Sequence, residues 1–219
     1  MHLLKRVSLS SFALLLCVFP PTAFSQKGAG EININGQIVL AARAGLVDRV
    51  VALLGEGAKV NSRDRNGDSP LNMAAAKGNV DLVDALLKAE ADVNLANVAG
   101  VTPLMGAAFS GSASIMQKLI KAGAKIEPLD RVKKNAATYA AGNGCSTCLQ
   151  VLVDAGLQIN APLDNDLTLL MWAAAYGQEA SVKLLLAQGA NRTLKDGRGK
   201  TAADMARDAN HLSVAKLIE

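Results

Sequence analysis

Two cysteines three residues apart are the side chains best equipped for chemistry in this chain, within Cys145-Ser146-Thr147-Cys148. A Cys-x-x-Cys pair opening a helix is a place where a thiol pKa falls and disulfide exchange is assisted. Helical side chains three apart hold their Cβ atoms about 5–6 Å apart, against the ~3.5–4.5 Å a disulfide needs, so a bond calls for a distorted first turn. Such a bond is readily reduced, and its loop is too short to stabilise the fold much. Two readings stay open: a passive disulfide or inert thiol pair, and a thiol-redox or redox-sensing centre. No βαβ unit of the redox-protein kind surrounds the pair, which weighs against the second.

Other catalytic constellations lack their parts. His211 is the one histidine beyond the first 25 residues, so a Ser-His-Asp arrangement, a Cys-His pair or a multi-histidine metal site would have to use it. Its ordinary reading is a polar residue opening the last helix. No Gly-x-x-x-x-Gly-Lys phosphate loop and no Gly-x-Gly-x-x-Gly turn occurs. Asp164 and Asp166 sit in a turn-rich stretch, where solvated turn formers are expected. The sequence therefore predicts no enzyme, no cofactor and no metal site.

The elements that carry these residues repeat. Gly45, Gly78, Gly111, Gly144 and Gly177 recur every 33 residues, with Asn210 in the next place. Leu53-Leu54, Leu86-Leu87, Leu119-Ile120, Leu152-Val153 and Leu185-Leu186 keep the same register. A fixed period of this size marks stacked supersecondary units. Within Asp64 to Ala96, Ser69 is a helix cap and Pro70 takes the first helical position. Leu71, Ala74 and Ala75 make one side of that helix apolar, Gly78 ends it, and Val80, Leu82, Val83, Leu86 and Leu87 line a second helix. The polar stretch that follows carries Asn66-Gly67 in one unit and Asp196-Gly197 in another, as a hairpin tip requires. Each unit reads turn, helix, turn, helix. None can bury its apolar side alone, and each Leu or Val buried against a neighbour contributes on the order of 1.5–3 kcal/mol.

Residues 1–25 read differently. Lys5 and Arg6 precede the apolar run Phe12 to Phe19, then Pro20-Pro21 and the small residues Ala23 and Ser25. This is the pattern of a secretory signal peptide cut after Ser25, with an uncleaved anchor as the alternative. A membrane span needs roughly 20 apolar residues, and this run is shorter. Residues 26–30 are expected to form a flexible lead-in. Hydrophobic residues make up 50% of the chain and aromatics 3%, which suits Ala- and Leu-lined helix contacts. The formal charge of +4 falls to +2 once Lys5 and Arg6 are removed, so no broad basic stripe points to nucleic acid.

Gly67-Asp68-Ser69-Pro70-Leu71 and Gly100-Val101-Thr102-Pro103-Leu104 open units, and Gly57-Ala58-Lys59-Val60-Asn61, Ala91-Asp92-Val93-Asn94 and Gly189-Ala190-Asn191 close them. On these motifs the chain resembles ankyrin-repeat proteins, specifically a bacterial exported one. The resemblance implies an all-α solenoid of six helix-turn-helix units joined by short β-hairpin loops, at 31–63, 64–96, 97–129, 130–162, 163–195 and 196–219, the last closing as an end cap. It departs from the family in lacking the His that follows Pro-Leu. Val39, Asn72, Met105, Thr138, Met171 and Asp204 stand there instead, which puts that side chain's hydrogen bonds in question. The fourth unit also has Lys133 and Ala136 where Gly and Pro are expected, so the array is expected to be weakest there.

In such proteins the first helices and the hairpin tips line the concave face that grips partners. Phe109, Tyr139, Trp172 and Tyr176, all the aromatics beyond residue 25, fall on first helices. Phe109 and Tyr176 align with exposed positions, Tyr139 and Trp172 with a half-buried one. The tips add Arg65, Asp68, Arg131, Lys134, Arg198 and Lys200. The resemblance thus implies a non-catalytic protein-protein interaction scaffold, monomeric, periplasmic or secreted, with an unidentified protein partner, no nucleic acid and no membrane span. The runner-up is the thiol-redox protein using Cys145 and Cys148.

Overall fold

Helices come in pairs at a constant spacing in the computed structural model, which describes residues 33–219. The expected leader and its cleavage point lie outside these residues. In chain order the pairs are α1 (Ile34–Ala44) with α2 (Val47–Gly55), α3 (Pro70–Ala76) with α4 (Val80–Lys88), and α5 (Pro103–Phe109) with α6 (Ala113–Lys121). Then come α7 (Ala136–Gly142) with α8 (Ser146–Asp154), α9 (Leu169–Ala175) with α10 (Glu179–Ala187), and α11 (Ala202–Asp208) with α12 (Leu212–Ile218). Every substantial helix contact is within a pair or between adjacent pairs. The core is accordingly a continuous row, running from Ile38 and Leu53 through Leu86, Leu119 and Leu152 to Leu185 and Ile218, as nearest-neighbour stacking requires.

Local chemistry sets the helix starts. Ser69 and Thr102 cap α3 and α5 with Pro at the first helical position, where its missing N–H costs nothing. The residues in the family's histidine place are not idle. The Asn72, Thr138 and Asp204 side chains accept the amides of Ser69, Asn135 and Thr201 at 3.0, 2.8 and 3.0 Å, which completes capping boxes. Asn72 also donates to the Val101 carbonyl of the next unit at 3.2 Å.

Helix ends are satisfied by the following unit. The last carbonyls of a helix lack intrahelical donors. Ser110 Oγ reaches Ala75 O at 3.0 Å, Asn143 Nδ2 reaches Phe109 O at 2.9 Å, and Gln178 Nε2 reaches Gly142 O at 2.9 Å. Each stitch spans one pair to the next. His211 packs its ring against Gly177, where an added Cβ would lie 2.6 Å from Nδ1.

The loops reverse without any β-strand among the described residues. Their reversal rests on one Asp or Asn per tip. Asp64, Asn97, Asp130 and Asp196 each accept two amides of their own loop on Oδ1, all at 2.8–3.0 Å. The Lys200 amide, with Arg198, holds the Asp196 carboxyl below the usual range. Successive tips are then bridged by Val98 N to Asn66 O, Arg131 N to Ala99 O and Gly197 N to Asn165 O, each at 2.9 Å. A second ladder runs beneath, in which Asn61, Asn94 and Asn160 accept the amides of Asp92, Lys125 and Asn191 at 3.0, 2.9 and 2.8 Å.

Both ladders break once, and in the same place. Leu163 occupies the tip position held elsewhere by Asp or Asn, and no bond joins Asp164 to Val132 among the described residues. Glu127 occupies the lower position held by Asn, and no bond of its side chain to the Gln158 amide forms. A cleft of about 490 Å³ opens there, lined by Glu127, Leu129, Lys133, Gln158, Leu163 and Asp164 among others. The fourth loop itself closes like its neighbours, because Asp130 holds it while Lys133 takes the left-handed conformation at φ 61°. The discontinuity thus falls between the fourth and fifth loops.

Candidate functional site: an aromatic cleft holding Lys134

Four first-helix residues from three consecutive units meet at one surface. Phe109 ends α5, Tyr139 lies on α7, Trp172 on α9, and Tyr176 caps α9. The 33-residue period brings Tyr139 and Trp172 to equivalent positions on neighbouring helices. Phe109 meets the edge of Tyr139 with centroids 6.0 Å apart and planes at 88°, and Trp172 stacks on Tyr176 at 5.8 Å with planes at 6°. Phe109 is 61% exposed and Tyr176 52%, whereas Tyr139 and Trp172 are half-buried. Exposed aromatics of this kind are the anchors that protein interfaces favour.

Lys134 runs from the fourth tip into this cleft. Its Nζ stands 4.9 Å from the Trp172 ring centroid and 5.8 Å from that of Tyr139, within reach of the rings' negative faces. Tyr139 in turn donates its hydroxyl to Asp130 Oδ2 at 2.5 Å. Burial first, then the bond to Asp130 and its charge, push the Tyr139 phenol up to about 12. The cleft, of about 210 Å³, is completed by Thr138, Gly142 and Asn143.

The other tip residues do not join it. Arg65 is exposed beside α1, in a separate hollow with Arg43 and Arg63. Asp68 accepts Asn97 Nδ2 at 2.7 Å, which makes it a loop-to-loop tie. Arg131 is exposed on the fourth tip. At the far end Arg198 pairs with Asp196 at 2.8 Å and Lys200 with Asp208. Of the six tip residues, only Lys134 reaches the rings.

Cys145 and Cys148 are bonded to each other, with sulfurs 2.10 Å and Cα atoms 5.2 Å apart. The expected need for a distorted helical turn does not arise. Cys145 is the cap residue of α8, at φ −78° and ψ 82°, so its side chain is free of the helical spacing that limits two in-helix cysteines. Its Sγ also lies 3.1 Å from the Cys148 amide, and Cys148 itself is fully buried. His211 is the cap residue of α12 without a side-chain capping bond. Among the described residues no three His, Cys, Asp or Glu side chains gather where a metal ion could bind, and no helix is long and apolar enough to cross a membrane.

Sequence reasoning found the four aromatics and missed Asn143 and Thr138, which fill the cleft wall. Asn143 carried a signal in its register: it follows the last helical residue of its unit where Ser110 and Tyr176 stand in theirs.

Comparison with known proteins matches this architecture. The family model described as "Ankyrin repeats (3 copies)" matches residues 38–130, 104–196 and 137–219. Among curated proteins, the E3 ubiquitin-protein ligase hecd-1 of Caenorhabditis elegans is 49% identical over 53 residues, which is 23% of this chain and 2% of that protein. Among solved structures, EF0377, described as an ankyrin repeat protein, is 26% identical with a TM-score of 0.75, covering 84% of this chain and 96% of its own. A chain from the structure of the predatory endopeptidase Bd0816 of Bdellovibrio bacteriovorus in complex with immunity protein Bd3460 is 28% identical with a TM-score of 0.73, covering 84% of this chain and 98% of its own. The repeat register, the nearest-neighbour core and the family match together establish that this chain belongs to the ankyrin-repeat family.

Proposed function

We propose that the chain is a non-catalytic scaffold, exported to the periplasm or secreted, that holds a folded protein partner on its first helices and loop tips. The observation that carries this reading is the meeting of Phe109, Tyr139, Trp172 and Tyr176 in one open cleft, when the rest of the described chain has no aromatic residue at all. Large rings left 61% and 52% exposed at Phe109 and Tyr176 contribute little to the array's own stability, and they are what a partner buries. The occurrence of a similar chain in a complex between an endopeptidase and an immunity protein supports protein binding as the use of this fold. Export rests on the Lys5-Arg6 and Phe12–Phe19 pattern. Affinity capture from periplasmic extract, comparing the wild-type chain with Phe109→Ala/Tyr176→Ala, tests the reading. Loss of specific proteins from the double variant is expected; equal retention by both removes the cleft from the account. The redox alternative loses ground because the pair sits in an array of helix pairs, with no βαβ unit around it among the described residues.

A further inference from the structure

Lys134 is held in place from both ends yet its charge is unmatched. Its backbone is fixed by the fourth tip, where its amide donates to Asp130 Oδ1 at 2.9 Å and its carbonyl accepts the Asp130 amide at 2.9 Å. Its ammonium is fixed by Trp172 and Tyr139. The other tip cations that reach a neighbour, Arg198 and Lys200, are neutralised by Asp196 and Asp208. Among the described residues Lys134 has no ion-pair partner within 4.0 Å. The closest carboxylate in sequence, Asp130, is 6% exposed and already engaged by the Tyr139 hydroxyl and the Val132 and Lys134 amides. Arg131 and Lys133 are exposed on the same tip and also lack ion pairs among the described residues. The cleft therefore combines apolar ring faces with a positioned, half-buried cation, on a tip that carries two more exposed cations.

We propose that this cleft receives an aspartate or glutamate side chain of the protein partner, its carboxylate on Lys134 Nζ and the apolar residues beside it against Phe109 and Tyr176. The proposal rests on the protein-binding reading and adds the chemistry of what is bound. A carboxylate gains a charge-assisted hydrogen bond from an ammonium that is already ordered, so little side-chain freedom is lost on binding. The cations of this tip, Arg131, Lys133 and Lys134, speed the approach of an acidic segment and repel a basic one.

The test is a selection of phage-displayed random dodecapeptides on the immobilised full chain, on Lys134→Met, on Lys134→Glu and on Phe109→Ala/Tyr176→Ala, each first matched to wild type by circular dichroism and urea midpoint. Wild type is expected to enrich Asp and Glu beside apolar residues, and those peptides to bind Lys134→Met about tenfold more weakly, the loss of one charge-assisted contact. Lys134→Glu is expected to enrich Lys and Arg instead. Peptides that need Phe109 and Tyr176 but bind Lys134→Met equally overturn the carboxylate and leave the cleft as a docking site. Peptides indifferent to all three variants, or a selection that yields none, overturn both. Tighter binding of fluorescein-labelled oligothymidylate than of any selected peptide, lost in Lys134→Met, assigns the cleft to nucleic acid and also overturns the proposal.

Discussion

The Tyr139 hydroxyl and the Asp130 carboxylate are locked together at 2.5 Å, and this one bond ties the fourth loop tip to the helix face behind it. Asp130 spends Oδ1 on the amides of Val132 and Lys134 and Oδ2 on the phenol. The same carboxylate thus shapes the tip and orients the ring on which Lys134 rests.

Burial of the phenol, together with this bond, makes stability depend on alkaline pH. The Tyr139 phenol is raised from 10.0 to about 12 in the folded chain, so the unfolded state loses its proton first. The contribution is fully present below pH 10 and lost as pH rises from there through about 12. Urea unfolding at stepped pH across that window should show wild type losing stability relative to Tyr139→Phe. At neutral pH Tyr139→Phe should itself cost about 1–3 kcal/mol, because Asp130 Oδ2 is left buried without its donor. Parallel pH curves for the two proteins would show that folding does not raise the phenol.

The ladder breaks at Leu163 and Glu127 predict where the array opens first. Hydrogen exchange should be fastest on the fifth-loop side of the cleft between them, from Gln158 to Asp164, and slower in the fourth loop tip that Asp130 holds. Leu163→Asp restores the residue type that accepts two amides in the other tips, and Glu127→Asn restores the lower rung. Each should raise stability by about 0.5–1.5 kcal/mol, read from the urea midpoint. Unchanged midpoints with unchanged exchange would mean that the breaks are neutral.

How much of this was legible in the sequence follows from what each feature depends on. The helices, their caps and the core row depend on local propensity and a strict period, so Ser69, Pro70 and the Leu pairs sufficed to place them. The cleft was legible as a set of four aromatics, because the period alone puts Tyr139 and Trp172 side by side. Lys134's seat over those rings was not, since it depends on a side-chain path rather than a register. The loop breaks were hidden for another reason. Absence of Gly at Lys133 looked like the defect, yet one left-handed residue costs only about 1–2 kcal/mol, and Asp130 still closes that loop. Leu163 gave no warning because an apolar residue in a loop suggests packing, and its cost is a looser closure in which the Leu167 amide turns to the Asp164 carbonyl at 3.3 Å.

The disulfide should matter less than its position suggests. Cys145 caps α8 with a sulfur 3.1 Å from the Cys148 amide, and a serine hydroxyl is a good N-cap acceptor. Cys145→Ser should therefore cost under about 1 kcal/mol, with the loop between the sulfurs too short for cross-linking entropy to add much. The Cys148 thiol left behind, fully buried, should react with a thiol reagent only as fast as the chain opens. Ready reduction of the folded wild-type bond by glutathione would revive the redox reading.

Gly177 should be among the least replaceable surface positions. It takes φ 69°, a conformation that suits glycine, and it lies directly under the His211 ring, where a Cβ would come 2.6 Å from Nδ1 and 2.8 Å from Cε1. Both penalties fall on the same atom. Gly111, one of its equivalents in the repeat, also has positive φ but nothing within 4 Å of the added carbon. Gly111→Ala should therefore carry only the backbone penalty of about 1 kcal/mol, and Gly177→Ala that penalty plus the displacement of a packed ring. Thermal unfolding of the pair, with Gly177→Ala/His211→Ala as the relief variant, separates the two effects. Removing the ring should return Gly177→Ala toward the cost of Gly111→Ala, and an unchanged cost would place the whole effect in the backbone.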